Sequence, residues 1–413
     1  MGKSLSKALD RKLRLGIAGL GRAFTLMLPT FIGDPRITVV AAADTRAEAR
    51  DRFATEFIAK TCETVEELCA DPAVEVIYVA TPHQYHAQHA EVGAQAGKHL
   101  LIEKPMALSL DQCAAVIAAA GRASVRLVVG HSHAFDAPIR RLRGLIESGA
   151  FGAVRMINAM NYTDYLYRPR RSEELDTARG GGAVFNQAAH QVDILRLIGG
   201  QVIGVRAATG AWDASRPTEG AYAALLTFAS GAFASLTYSG YGHFDSDEFQ
   251  GWIGEMGQKK APYAAPPPPR FADAQAESSY KNARNYGGAA YQAPAAEAPA
   301  HQHFGTVLVS CERADLRALP NGVMIYQNGA AWLEPLPPPT VPRAEVIDEL
   351  YQAVVHGEAP LHDGAWGMAT LEVVLAILRS AREGHAVFVP AGADHRFSAY
   401  EHLAVLVIFE RRH

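Results

Sequence analysis

Residues 13–24 read LRLGIAGLGRAF, Leu13 to Phe24. An apolar run of strand length ends in Gly19 and Gly21 and leads directly into helix-forming residues. The first glycine permits a tight turn, and the second lets an anionic group approach the backbone at the start of a helix. Working outward, the theme repeats. ITVVAAAD (37–44), EVIYVATP (75–82), KHLLIEKP (98–105) and RLVVGHSH (126–133) are rich in Val, Ile or Leu and end in polar residues. Between them lie RAEARDRFATEF, QYHAQHAEVGAQAG and SLDQCAAVIAAAGRA. Apolar strands alternating with amphipathic helices predict a parallel sheet covered on both faces, with HLLIEKP as its fourth strand. Ligands bind such sheets at the carboxyl ends of the strands. Asp44, Thr81-Pro82, Glu103-Lys104-Pro105 and His131 all fall there.

From Asp136 the grammar changes. A helix, APIRRLRGLIESG, precedes AVRMINAMNYTDYLY, whose alternation fits an antiparallel strand, and further strand-like pieces follow between Gly and Asn turns. The expected fold class is α/β. An N-terminal Rossmann domain with a parallel doubly wound sheet spans 1–135, and a C-terminal α+β domain on a largely antiparallel open sheet spans 136–413. Within 261–300, APPPPR and APAAEAPA are too rich in Pro and Ala for a sheet element and predict an inserted excursion. The tail AYEHLAVLVIFERRH has an apolar centre suited to packing on the body or on a partner subunit.

Composition narrows the function. The 413 residues carry a formal net charge of -4 and 20% charged side chains. The basic excess of a nucleic-acid binder is absent, and no apolar run approaches the roughly 18 residues of a membrane span. Cys62, Cys69, Cys113 and Cys311 form no C-x-x-C pair. With no signal-type opening, these read as reduced thiols of a cytoplasmic protein.

Asp44 ends the second strand, where an acid bonds the adenosine ribose hydroxyls of a dinucleotide and repels a 2′-phosphate. With Gly19, Gly21, Arg22 and Ala23 at the turn, it favours NAD over NADP, a preference that nearby Arg46 softens. Phe24 occupies the third glycine position, so the fingerprint is incomplete. His83, His86 and His89 drift around a helix at three-residue steps with no carboxylate or thiolate among them, so no metal is expected.

The stretch ATPHQYHAQHAEVGAQAGKHLLIEKPMAL resembles the glucose-fructose oxidoreductase, inositol dehydrogenase and rhizopine-catabolism family, written Gfo/Idh/MocA. That family carries T-P-N-x-x-H, A-x-x-x-G-K-H-V and E-K-P at the ends of successive strands. Thr81-Pro82-His83 replaces T-P-N here, while His86, Gly97-Lys98-His99 and Glu103-Lys104-Pro105 match. GGGAVFNQAAHQVDILRLIGG is similar to the family's G-G-G-x-x-x-D-x-G-x-H-x-x-D helix. Gly180 to Gly182, His190 and Asp193 match, whereas Asn186 and Ala188 stand for Asp and Gly. The resemblance implies hydride transfer between nicotinamide and a carbinol, with Lys104 and His190 catalytic at the reacting oxygen. Thr81, Pro82, His83, His86, Glu103, Lys104 and His131 would surround the cofactor. It also implies subunit contacts through the open sheet, hence a homodimer or homotetramer.

Residue chemistry agrees independently. Hydride can leave a carbinol C–H only as its hydroxyl loses a proton to a group within hydrogen-bond reach. Lys104 at a strand end suits that task, with Glu103 as its support. Pro105 stops the strand, and a cis Lys104–Pro105 bond is compatible with the turn. Asn186, His190 and Asp193 are spaced to share one helix face.

NYTDYLYRPRRSEELDTARGGG precedes the histidine helix. Arg168, Arg170 and Arg171 with Tyr165 and Tyr167 form a cluster suited to an anionic, dicarboxylated small molecule, because guanidinium pairs carboxylate bidentately. Asn186, Gln187 and His190 complete the expected substrate set. Together with EFQGWIGEMGQ, this segment is similar to the family branch of phthalate 4,5-cis-dihydrodiol dehydrogenases. That branch implies NAD-linked oxidation of 4,5-dihydroxy-4,5-dihydrophthalate to 4,5-dihydroxyphthalate. A sugar or cyclitol dehydrogenase, an NAD-retaining hydrolase or lyase, and a non-catalytic nucleotide-binding regulator stand as alternatives.

Overall fold

The computed structural model describes residues 11–263, 269–294 and 298–390. The chain divides into two compact units. Met1–His131, Phe271–Glu297 and Thr340–Met368 contribute to the first; Ser132–Arg270, Ala298–Pro339 and Ala369–His413 contribute to the second.

Among the described residues, the first unit is built on six strands: β1 (Leu13–Ala18), β2 (Ile37–Ala43), β3 (Lys60–Cys62), β4 (Val76–Val79), β5 (His99–Ile102) and β6 (Leu127–Val129). They are parallel, in the order β3-β2-β1-β4-β5-β6. Strand order reverses between β1 and β4, the switch point at which doubly wound sheets open a crevice. All four residues of β4 are buried, as expected of a strand covered on both faces. The sequence reading missed β3. Lys60-Thr61-Cys62 has no apolar run and pairs with β2 alone, at the sheet edge. His99–Ile102 is therefore the fifth strand in chain order, not the fourth.

Among the described residues, the second unit holds nine strands: β7 (Val154–Tyr162), β8 (Val202–Gly210), β9 (Ala221–Phe228), β10 (Phe233–Ser239), β11 (Thr306–Cys311), β12 (Asp315–Leu319), β13 (Gly322–Gln327), β14 (Ala330–Pro335) and β15 (Val387–Phe388). Their order is β14-β13-β12-β11-β7-β10-β9-β8-β15, and among these described strands only β7 and β10 pair in parallel. In β9 the even positions Tyr222, Leu226 and Phe228 are buried while Ala223, Leu225 and Thr227 are exposed. One face of this sheet thus packs and the other stays open, which is what a period of two encodes.

Two features depart from the sequence reading. The chain leaves the first unit after His131 rather than at 135, and it returns there twice. One return lies in the Pro/Ala-rich stretch expected to be an excursion. It carries helix Ala274–Arg284, capped by the Asp273 side chain accepting from the Ala276 N–H at 2.7 Å, and Tyr286, fully buried. A single aromatic anchor gives no periodic signal, so composition hid it. Residues 264–268, 295–297 and the apolar tail lie outside the described residues. Helix Gly364–Glu383 is, by length and composition, long and apolar enough to cross a bilayer, contrary to expectation. Leu371, Val373, Val374 and Ile377 on it are buried within the protein, as in a core helix.

Candidate active site

The glycine turn sits in the first unit. Gly19 has φ +96°, and a Cβ there would stand 2.9 Å from the Ala80 carbonyl oxygen, so the turn passes against the end of β4. Gly21 caps helix Arg22–Gly33 and has open space where a Cβ would project. Glycine is needed at the first position for conformation and at the second for approach. Arg22 is exposed and Ala23 half-buried. Phe24 is buried, its ring 5.1 Å from that of Tyr286 and 6.1 Å from that of Phe53. The side chain at the third glycine position is therefore absorbed by an aromatic cluster.

Asp44 follows β2, but its oxygens already have internal donors. The Leu20 N–H reaches Oδ2 at 2.8 Å, the Arg46 N–H reaches Oδ1 at 2.9 Å, and the Arg46 guanidinium spans both oxygens at 3.1 and 3.2 Å. The acid and the neighbouring cation, read separately from the sequence, are one bidentate pair at the glycine turn.

Strands β4 and β5 carry the next residues. Thr81 and Pro82 follow β4, and half-buried His83 opens a short turn. His86 is enclosed instead of lining open space. Its Nδ1 lies 2.8 Å from the Pro105 carbonyl oxygen and its Nε2 lies 2.7 Å from that of Thr81. Burial lowers its pKa, against the pull of the two carbonyls toward protonation. His86 is thus a brace between two strand-end loops, with both ring nitrogens on backbone carbonyls. Buried Glu103 accepts the Tyr78 hydroxyl at 2.5 Å. Burial raises its carboxyl pKa, opposed by Tyr78, Lys104, Arg343 and the His131 backbone N–H. Lys104 follows, half-buried, and the Lys104–Pro105 bond is cis, as is Gly130–His131. His131 is buried after β6.

In the second unit, the segment from Tyr165 to His190 is a succession of short turns. Gly180 and Gly182 adopt φ +81° and +80°. The Tyr165 hydroxyl donates to the Gly182 carbonyl at 3.2 Å, and Asn186 Nδ2 donates to the same carbonyl at 2.8 Å. Glu219 accepts from the Val184 N–H at 3.0 Å and from the Thr177 hydroxyl. These bonds hold a π-helical turn, Val184–Ala188, ahead of the α-helix Ala189–Gly199. The wider turn takes Asn186 out of regular α-helical spacing with His190, while His190 and Asp193 keep their i, i+3 spacing on the α-helix. Asp193 accepts the hydroxyls of Ser132 and Thr370, the latter at 2.9 Å, and Arg196 donates to Thr370 at 2.7 Å. It is a buried structural node. Gln187 stays half-buried.

His190 is 8% exposed, its ring centroid 4.8 Å from those of His133 and Phe304. His133 Nδ1 lies 2.6 Å from Asp136 Oδ2, and its Nε2 is 3.6 Å from Glu255. Burial opposes charge on His133, but Asp136 and Glu255 outweigh it and raise the pKa.

The arginines are less available than the sequence suggests. Arg168 pairs with Asp164 at 2.7 Å, and Arg171 lies 3.2 Å from Glu173 and 3.7 Å from Glu174. Arg170 stacks 3.8 Å over the Tyr165 ring and donates to its carbonyl at 2.6 Å. Counting cations overlooked acids two to four residues away. Sequence reasoning also missed Tyr78, Glu219, the His133–Asp136 pair and Tyr286. The H-x-x-D spacing of His133 and Asp136 is the one local signal among them.

A parallel sheet in this order with a glycine turn, in a chain whose second unit has a mixed sheet and a buried histidine on a helix, defines a two-unit dinucleotide-binding oxidoreductase. The chain belongs to the GFO/IDH/MocA family: the oxidoreductase model with an NAD-binding Rossmann fold matches residues 13–131, and the C-terminal domain model matches 139–257. A 1-carboxy-3-chloro-3,4-dihydroxycyclohexa-1,5-diene dehydrogenase of Comamonas testosteroni is 47% identical over 377 residues, 90% of this chain and 95% of that protein. A human trans-1,2-dihydrobenzene-1,2-diol dehydrogenase is 29% identical over 211 residues, 49% of this chain and 62% of that protein. A solved structure described as a dehydrogenase, from Bordetella bronchiseptica RB50, superimposes with a TM-score of 0.83 at 40% identity, covering 91% of this chain and all of that one.

Proposed function

We propose that this protein is an NAD-dependent dehydrogenase of carboxylated cyclohexadiene cis-diols, with 4,5-dihydroxy-4,5-dihydrophthalate as the first substrate to test. The observation that carries the reading is the 47% identity, over 90% of the chain, to a relative named for a carboxylated dihydroxycyclohexadiene. The glycine turn fits a dinucleotide, since a Cβ at Gly19 would meet backbone and Gly21 faces open space. Gly19, Gly21, Arg22 and Ala23 would hold the pyrophosphate, Asp44 and Arg46 the adenosine ribose, and Thr81, Pro82, His83, Lys104 and His131 the nicotinamide end. The bound cofactor supplies the hydride acceptor.

Lys104 takes the hydroxyl proton as the carbinol C–H gives up its hydride, and His190 holds or relays that proton. The resulting ketone tautomerises to an aromatic catechol, which makes the oxidation favourable. Tyr165, Arg168, Arg170, Arg171 and Gln187 would receive the ring and its carboxylate. Because Arg168 and Arg171 already have an acid beside them, binding a carboxylate there means exchanging one anion for another. One ring carboxylate fits this as well as two.

The test follows NADH absorbance with the purified full chain on phthalate cis-dihydrodiol, a monocarboxylated cyclohexadiene diol, benzene cis-dihydrodiol, inositol and glucose. Turnover of the carboxylated diols is expected, and turnover of inositol or glucose alone would sink the reading. We also propose a homodimer or homotetramer in the cytoplasm, formed through the open face of the second sheet, where Leu225 and Phe233 stand exposed. Light scattering on a Leu225→Lys variant tests it, with a shift to monomer expected.

A further inference from the structure

The return segment in residues 271–294 reaches Arg46 beside the glycine turn: the Tyr286 carbonyl accepts from Arg46 Nη1 at 3.0 Å. Arg46 Nη2 donates to the Leu20 carbonyl at 2.9 Å and to Asp44 Oδ2 at 3.2 Å, and its Nε donates to Asp44 Oδ1 at 3.1 Å. Four of the five N–H donors of a guanidinium are thereby committed. The segment is seated firmly. Tyr286 is fully buried, its hydroxyl donates to Glu56 at 2.8 Å, and Arg52 lies 5.4 Å over its ring and 4.6 Å over that of Tyr291. Gly287 has φ +81°, and a Cβ there would stand 2.5 Å from the Ala49 Cα. The backbone next to Tyr286 therefore lies directly on helix Ala47–Phe57.

These contacts bear on which dinucleotide the turn accepts. An acid at the end of β2 disfavours a 2′-phosphate, but an arginine two residues on is a ready partner for one. Internal pairing makes the two nearly neutral together, so selection depends on whether Arg46 can turn outward. We propose that the return segment is a specificity clasp: seated through Tyr286 and Gly287, it holds Arg46 on Asp44 and withholds the guanidinium from a 2′-phosphate, selecting NAD over NADP. The inference rests on the reading of the glycine turn as a dinucleotide site.

Calorimetric titration of the full chain with NAD and with NADP tests it without relying on turnover. Wild type should bind NAD the more tightly. Gly287→Ala, which must lift the segment from Ala49, should tighten NADP relative to NAD about tenfold, the worth of one charge-assisted contact. Adding Arg46→Ala should abolish that gain, because the gain is the released guanidinium. Tyr286→Phe keeps the ring and loses only the bond to Glu56, so a smaller shift in the same direction guards against a misfolded Gly287→Ala protein. Binding of neither nucleotide by wild type overturns the dinucleotide reading and the clasp with it. NAD binding by every variant with an unchanged ratio, or a gain that survives Arg46→Ala, overturns the clasp alone.

Discussion

The strand ends of the first unit and the Tyr165–His190 segment of the second place chemistry-bearing side chains by opposite means. In the first unit, hydrogen-bonded parallel strands deliver Asp44, Thr81, Lys104 and His131 to one sheet edge, and position follows from the strand register. In the second, short helical turns are pinned by side chains, with Glu219, Tyr165 and Asn186 all bonding to the local backbone. A regular scaffold holds its shape through backbone bonds between strands. An irregular one spends many of its polar groups on holding its own shape, as backbone donors and acceptors without a ladder require.

Substitutions can break or sharpen this contrast. The largest effect is expected at the strand end: Lys104→Ala should lower kcat about 10²- to 10⁴-fold, the usual worth of a general base, while NAD binding changes little. Rates near wild type in that variant would remove Lys104 from the chemistry. Next comes Asp136→Asn, which takes the partner from a buried histidine and should cost about 3 kcal/mol where that histidine is charged. His133 has a raised pKa in the folded state, since Asp136 and Glu255 outweigh burial. Its contribution to stability is therefore fully present below about pH 6.5 and is lost as pH rises through the raised value. The Tm deficit of Asp136→Asn should be largest in acid and shrink above that range; a deficit independent of pH would show that the pair is not charged. The smallest effect is expected at the pinned loop. Arg171→Gln should raise KM for a carboxylated diol about tenfold, roughly 1.4 kcal/mol, with kcat nearly unchanged. An unchanged KM would mean that Arg171 serves only Glu173 and Glu174, and the contrast would then be complete.

Much of the first unit was legible because its signals are local. Apolar runs ending at Asp44, Thr81, Lys104 and His131 announced a parallel sheet, and the glycine turn announced its switch point. Edge strand β3 escaped because three polar residues carry no pattern. The π-turn escaped for a different reason: i, i+4 counting assumes a regular helix, and only the bonds from Glu219 and Asn186 show where regularity fails. The pairing of Arg168 with Asp164 and of Arg171 with Glu173 escaped because counting cations does not weigh them against the acids nearby.

By itself, the sequence determined the two-part architecture, the family, and the identity of the lysine and histidine to test first, because strand and helix periods and short motifs are written in neighbouring residues. Only the tertiary structure decided that His86 braces backbone, that Asp193 is a structural node, and that Arg46 is bound on both sides. Those outcomes depend on Pro105, Thr370 and Tyr286, partners far along the chain whose burial and pairing no local period encodes.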